Sequence, residues 1–281
     1  MAEYCDLHTH SRYSDGTCTP AEILAKATGL GLSAVALTDH NTVAGLPEFL
    51  AAARGAAVQA IPGVEISTGY LGKELHIVGL FLSPAHWEET TAFLDTINRR
   101  KEESNLLLIH RLKQAGYPLD YDAIRSSHPD GTVNRAVIAA ALLKKGYVCS
   151  VAEAFQTLLK PRHGYFVPPE RIPAFEAISF LKLHGAMAVL AHPFLNLTEP
   201  ELRRFLPEAM QQGLSAMETL YSAYTPETTA LSRQIAAEFA LAESGGSDFH
   251  GENKPEIHLG TGNGNLRVPL SFAHTLQPKE E

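Results

Sequence analysis

The sequence predicts an α/β barrel interrupted by a helical insertion, and three observations carry that reading. Short apolar runs recur between amphipathic helical segments, as expected for strands of a largely parallel sheet covered on both faces. Residues of metal-ligating type stand at or just beyond the ends of these runs, where barrel active sites lie. From about residue 84 to 159 the strand signal stops and only helical periodicity remains.

The chain has 281 residues, 45% hydrophobic and 19% charged, enough for one large α/β domain carrying an insertion. A basic leader with an apolar stretch is missing from the N-terminal residues, and no apolar run reaches bilayer-spanning length, which predicts a cytoplasmic protein without a membrane partner. Three cysteines (Cys5, Cys18 and Cys149) with no C-x-x-C spacing indicate neither a disulfide framework nor a zinc ribbon. Net charge is −8, yet residues 95–162 hold 11 Lys and Arg against 7 Asp and Glu. An acidic body with a basic segment disfavours general duplex nucleic-acid binding and suits metal ligands in one part and an anion clamp in the other.

Taken in order, the chain enters a strand leading into Asp6-Leu7-His8-Thr9-His10. Thr19 and Pro20 then mark an N-cap and first helical position, with the helix stopping near Gly29 and Gly31. Strands follow at Ser33 to Leu37, Ala57 to Ile61 and Glu74 to Leu82, with a helix near Val43 to Arg54 between the first two. The insertion carries helices through Leu94 to Leu112, near Val133 to Lys145 and near Val151 to Leu159, between turn signals at Ser83-Pro84 and Lys160-Pro161. Alternation resumes with strands at 186–190, 214–220 and 241–244, separated by helices. The expected organisation is a first barrel part over 1–83, a helical insertion acting as substrate cap over 84–165, and a second barrel part over 166–281.

In an extended segment alternate side chains share a face, so His8 and His10 can clamp one cation. A polar edge strand with incidental histidines would look the same over those residues alone. Further along, however, His40, His76, His192 and His250, with Asp15, Glu65 and Asp248, fall at or near other strand ends. So many donors imply more than one ion, with a carboxylate such as Glu65 as the natural bridge; mixed nitrogen and oxygen donors favour manganese, iron or zinc over calcium. Asp6 and Glu218 are expected to orient ligand histidines from behind.

The ordered motifs Asp6-Leu7-His8-Thr9-His10, Thr38-Asp39-His40-Asn41, Pro62-Gly63-Val64-Glu65, His76, Ala191-His192-Pro193 and Gly246-Ser247-Asp248-Phe249-His250 resemble the PHP (polymerase and histidinol phosphatase) family of metal-dependent phosphoesterases. The resemblance implies a distorted (β/α)7 barrel with a trinuclear centre. One ion would take His8, His10, Glu65 and Asp248, a second Glu65, His76 and His192, and a third Asp15, His40 and His250. The insertion and the tail from Gly251 to Leu266 are similar to those of small bacterial members acting on nucleoside 3′,5′-bisphosphates or 5′ ends of short RNA. Those relatives carry R-x-x-R-N and R-P-H motifs, whereas this chain has Lys101, Ser104 and Asn105, then Arg135, Ala136 and Val137. Lys101, Asn105 and Arg135 are therefore the expected substrate contacts, in a less cationic pocket.

The expected reaction is metal-assisted phosphate-ester hydrolysis, with Asp15, His192, Asp248 and His250 closest to the chemistry and the leaving-group acid left open. Two other readings use the same barrel: an amidohydrolase, and a metal-stabilised module without turnover. The third ligand group argues against the first, and the intact ligand set against the second.

Overall fold

The computed structural model describes residues 3–127 and 133–278. It divides into two compact units, Met1–Leu94 with Ile172–Glu281, and Asp95–Arg171.

The first unit is a barrel. In chain order it holds β1 (Tyr4–Asp6), α1 (Pro20–Gly29), β2 (Ala34–Leu37), α2 (Leu46–Ala52), β3 (Gln59–Tyr70) and β4 (Lys73–Leu80). The helix α3 (Trp87–Gln114) starts in this unit and continues into the second, which adds α4 (Tyr121–Ser126), α5 (Arg135–Lys144) and α6 (Val151–Thr157). The barrel resumes with α7 (Ala174–Leu183), β5 (Met187–Ala191), α8 (Glu199–Gln212), β6 (Leu214–Tyr221), α9 (Pro226–Glu238), β7 (Ala242–Gly246), β8 (Val268–Pro269) and α10 (Leu270–Leu276). All seven strands expected from the sequence are present. The two-residue β8 and the short helices α4 and α10 lack the length to give a periodic signal.

Local chemistry sets the boundaries. At α1 the Thr19 hydroxyl accepts from the Glu22 N–H while the Glu22 carboxylate accepts from the Thr19 N–H, a reciprocal cap that satisfies two otherwise orphaned donors. Asp120, Asn134 and Ser150 cap α4, α5 and α6 in the same way through one side-chain oxygen each. The second unit has its own core around Leu108, Leu112, Ile138, Leu142 and Leu159.

Strand order is β7-β6-β5-β4-β3-β2-β1-β8. β1, β2 and β3 are parallel, as are β5, β6 and β7, but β4 is antiparallel to both neighbours. This departs from the strict alternation read from the sequence. β3 runs on to Tyr70 and turns through Leu71 and Gly72, whose φ angles of 50° and 74° fit a two-residue hairpin with no room for a crossover helix. Glu65 and His76 consequently lie inside strands instead of at strand ends. The reversal still brings them to one place, because His76 pairs with Ser67 on β3 and Ala191 on β5, one residue before His192.

The barrel closes beyond the formal strand ends. Leu7 N–H donates to the Gly245 carbonyl at 3.2 Å, Asp248 N–H to the His8 carbonyl at 2.9 Å, and His10 N–H to the Phe249 carbonyl at 2.9 Å. On its other side the same segment receives Thr38 N–H at the Thr9 carbonyl, at 2.9 Å. The period-2 alternation therefore persists through residues 7–10: Leu7 enters the barrel core with Ala36, Ile61, Val189 and Ala216, and His8 and His10 face the opposite end. Among the described residues, no helix is long and apolar enough to cross a membrane.

Close backbone approach is what makes Gly246 necessary. A Cβ there would collide with the Cβ and backbone of His8. Gly246→Ala is expected to cost about 1–3 kcal/mol of stability by overpacking and to lower metal retention together with it, measured by urea unfolding and elemental analysis on the same preparation.

Candidate metal centre

Glu65 is the centre of the site. Its side chain is fully buried and meets five imidazoles. On Oε2 the neighbours are His8 Nε2 at 3.2 Å, His10 Nε2 at 3.2 Å and His40 Nδ1 at 2.9 Å; on Oε1 they are His76 Nδ1 at 2.8 Å and His192 Nε2 at 3.1 Å. Asp248 Oδ1 lies 3.2 Å from His10 Nε2, 3.8 Å from His8 Nε2 and 3.5 Å from His250 Nδ1. Asp15 Oδ1 stands 3.2 Å from His250 Nε2 and 3.9 Å from His40 Nε2. All nine residues expected as ligands thus converge, from β3, β4 and the loops after β1, β2, β5 and β7.

Donor atoms group within 4.8 Å of one another as His10, Asp15, His40 and His250; as His8, His10 and Glu65; as His40, Glu65 and His76; and as His8, His192 and Glu218. The second group with Asp248 resembles the first expected ion set, and the first group adds His10 to the third. His8 Nε2, both ring nitrogens of His10, His40 Nδ1, His76 Nδ1 and Glu65 Oε2 are buried without a hydrogen-bond partner among the described residues. Buried polar atoms left so are costly. Several on one spot, all of metal-ligating type, fit divalent cations in the space they enclose.

Supporting groups aim these donors. Glu218 Oε1 accepts from His8 Nδ1 at 2.7 Å, which keeps a proton on Nδ1 and leaves Nε2 as the atom free to ligate once any proton there is displaced; Oε2 of the same carboxylate accepts from the His192 backbone N–H at 2.7 Å. The expected orienting role of Glu218 fits this geometry. Asp6 differs from its expectation: it holds backbone, accepting from His8 N–H, Ser247 N–H and Oγ, and Gly260 N–H, and touches no imidazole. Those four donors satisfy a fully buried carboxylate. Asp39 braces the loop from His10 to Asp15 by accepting from Ser11 N–H, Ser11 Oγ and Ser14 Oγ. His250 Nδ1 donates to the Asp248 carbonyl at 2.7 Å, since an amide oxygen can only accept, and this turns Nε2 toward Asp15.

His192 and Asp248 hold positive φ values of 28° and 59°. Strained backbone at two site residues on different loops marks positions that the surrounding hydrogen bonds over-determine. Two groups had escaped the sequence reading. Tyr221 donates from its hydroxyl to Asp248 Oδ2 at 2.9 Å, and Lys254 Nζ donates to the same oxygen at 2.7 Å. Tyr221 ends an apolar strand and reads as core, and Lys254 reads as a surface loop residue.

The expected substrate contacts belong to the second unit. Asn105 is buried and donates from Nδ2 to the Val133 carbonyl at 2.8 Å, so its amide holds the entry to α5. Lys101 and Asn105 line one pocket with Asp95, Asn98, Glu102 and Arg125. Arg135 stacks its guanidinium 4.5 Å from the Phe166 ring centroid and 5.8 Å from that of Phe155.

A buried cluster of imidazoles and carboxylates at one end of a distorted barrel defines a metal-dependent hydrolase. Residues 6–165 match the PHP domain family. A 5′-3′ exoribonuclease of Haemophilus influenzae is 34% identical over 89% of this chain and 91% of its own length. A 3′,5′-nucleoside bisphosphate phosphatase of Chromobacterium violaceum is 30% identical over 87% and 86%. The crystal structure of a candidate metal-dependent phosphoesterase from Bifidobacterium adolescentis superposes with a TM-score of 0.84 at 26% identity, covering 98% of this chain and 96% of that one. The chain belongs to the PHP family and is a metal-dependent phosphoesterase.

Without cations, the cluster is a proton store. Burial alone would depress the imidazoles, but Glu65 and Glu218 hold His8 well above its ordinary value, Asp248 and Glu65 raise His10 to about 9, and Glu65 and Glu74 raise His76 to about 10. Burial would raise Glu65, yet His40, His76 and His8 hold it well below the carboxylate range. His40 goes the other way, to about 4, because desolvation wins there. A cation competes with protons for imidazoles whose affinity for protons is raised in this way, so metal affinity rises with pH. Manganese affinity measured by chelator competition is expected to climb roughly tenfold per pH unit for each proton displaced between pH 6 and 8; a flat profile would contradict the pairing.

Proposed function

We propose that this chain hydrolyses a phosphate ester of a small phosphorylated nucleotide, such as a nucleoside 3′,5′-bisphosphate, or acts at the 5′ end of a short RNA, with two or three manganese, iron or zinc ions. The observation that carries the proposal is the Glu65 cluster: one buried carboxylate shared by five imidazoles, with several donors lacking any hydrogen-bond partner among the described residues. Divalent cations held by these imidazoles and carboxylates would neutralise phosphoryl oxygens and acidify water, so that no side-chain nucleophile would be required. The exoribonuclease and bisphosphate phosphatase relatives support the substrate class.

The proposed ligands are His8, His10, Asp15, His40, Glu65, His76, His192, Asp248 and His250, with Asp15, His192, Asp248 and His250 nearest the reacting phosphate. Glu218 keeps His8 in the tautomer that faces Glu65. Lys101, Asn105 and Arg135 are proposed to hold a second phosphate or the sugar, and the aromatic faces beside Arg135 cut the freedom it would lose on binding. An extended duplex is repelled by an acidic barrel, whereas the local basic excess in residues 95–162 suffices for one or two phosphates.

The test is phosphate release by the manganese-loaded protein across nucleoside bisphosphates, 5′-phosphorylated oligoribonucleotides, cyclic phosphates and simple monoesters. Turnover of a bisphosphate or an RNA 5′ end is expected. Loaded protein that turns over none of these would overturn the proposal. Asp248→Asn is expected to abolish turnover. Arg135→Ala is expected to raise KM by about 10- to 100-fold with kcat little changed, since a lost charge-assisted contact costs about 1.5–3 kcal/mol; steady-state kinetics in which the two effects were exchanged would reverse their assignment.

A further inference from the structure

Resting on that reading, we infer that Lys254 is a substrate-binding residue: it holds Asp248 with one N–H and presents its others to a non-bridging oxygen of the phosphate at the metal centre. The assignment comes from how the two oxygens of Asp248 divide their neighbours. Oδ1 faces the imidazoles of His8, His10 and His250, and Oδ2 faces Tyr221 and Lys254. The ammonium is therefore linked to the cluster through a single carboxylate, on the oxygen opposite the one that faces the imidazoles.

Tyr221 and Lys254 are not equivalent on that oxygen. Tyr221 is buried and its one O–H is used up by Asp248. That bond alone orients the carboxylate. Lys254 has a side chain 39% exposed, carries three donors, and makes its contact to Asp248 as its sole side-chain bond among the described residues. A second donor would be redundant for positioning Asp248, while an ammonium with spare donors at the edge of a carboxylate-rich cluster supplies an anion contact that carboxylates cannot.

The segment that bears Lys254 is built into the site. Glu252 N–H donates to Thr17 Oγ1 at 2.9 Å, Asn253 Nδ2 donates to the Asp15 carbonyl at 2.8 Å, and Thr17 N–H donates to the His250 carbonyl at 3.2 Å. The residues just before Lys254 are thus tied to the loop carrying Asp15, while its ammonium is held on Asp248.

Manganese-loaded wild type, Lys254→Met, Lys254→Arg and Tyr221→Phe are compared for metal content and for binding of inorganic phosphate by calorimetry. Lys254→Met is expected to keep the wild-type metal content and lose phosphate affinity about 10- to 100-fold, with Lys254→Arg recovering most of it. Tyr221→Phe is expected to lower metal retention and leave phosphate affinity, per metal-loaded molecule, close to wild type. Wild-type phosphate affinity in Lys254→Met overturns the assignment and leaves the phosphoesterase reading intact. Loss of metal in Lys254→Met also overturns it, since Lys254 would then act only by holding Asp248. Wild type that binds no phosphate when loaded overturns both.

Discussion

A carboxylate with no access to water must be surrounded by positive charge or donors, and Glu65 obtains five imidazoles. Those imidazoles come from three loops and one strand, so the demand of one side chain ties together elements far apart in sequence. The hairpin is part of that solution. A crossover after β3 would have delivered the next strand in the same direction, with its N-terminal residues at the far end of the barrel. The Leu71-Gly72 turn reverses the chain and returns His76 to the level of Ala191 and Glu65.

Behind the imidazoles lies a second set of buried carboxylates with a different task. Glu218 fixes a ring and an amide, Asp6 fixes three amides and a hydroxyl, and Asp39 fixes one amide and two hydroxyls. Burial raises Asp6 and Asp39 above the usual carboxylate range in spite of those donors, whereas imidazoles hold Glu65 and Asp248 well below it. The same residue type is thus used in two electrostatic settings: structural carboxylates satisfied by neutral donors, and cluster carboxylates satisfied by exchangeable charge. Only the second kind can trade protons for metal ions.

Legibility in the sequence follows the same division. Strands such as Ala34–Leu37 and Met187–Ala191 were readable because burial on both faces demands uninterrupted apolar runs, and the ligand histidines because imidazoles beside such runs are chemically conspicuous. The antiparallel β4 was not, since the hairpin depends on positive φ at Leu71, a residue that gives no turn signal by itself. Asp6 reads as an orienting partner of the neighbouring histidines, but its partners Ser247 and Gly260 lie more than 240 residues away, beyond any local pattern. The contacts of Tyr221 and Lys254 with Asp248 were hidden for the same reason, being set by how the loop after β7 folds back on β6.

That loop also explains why the end of the chain matters to a site announced at its beginning. Residues 7–10 have bonding edges on both sides, one taken by the end of β2 and the other by the end of β7, so His8 and His10 reach their positions only when the last barrel strand has docked. Gly246 permits the close approach, Asp6 ties Ser247 and Gly260 to the first strand, and Asp248 then enters with a positive φ that few non-glycine residues adopt unaided. Completion of the cluster and closure of the barrel are therefore one event. A cation bound between His10 and Asp248 would stabilise the seam between the first and last strands, coupling metal affinity to global stability through the mass action of a ligand that the unfolded chain cannot assemble.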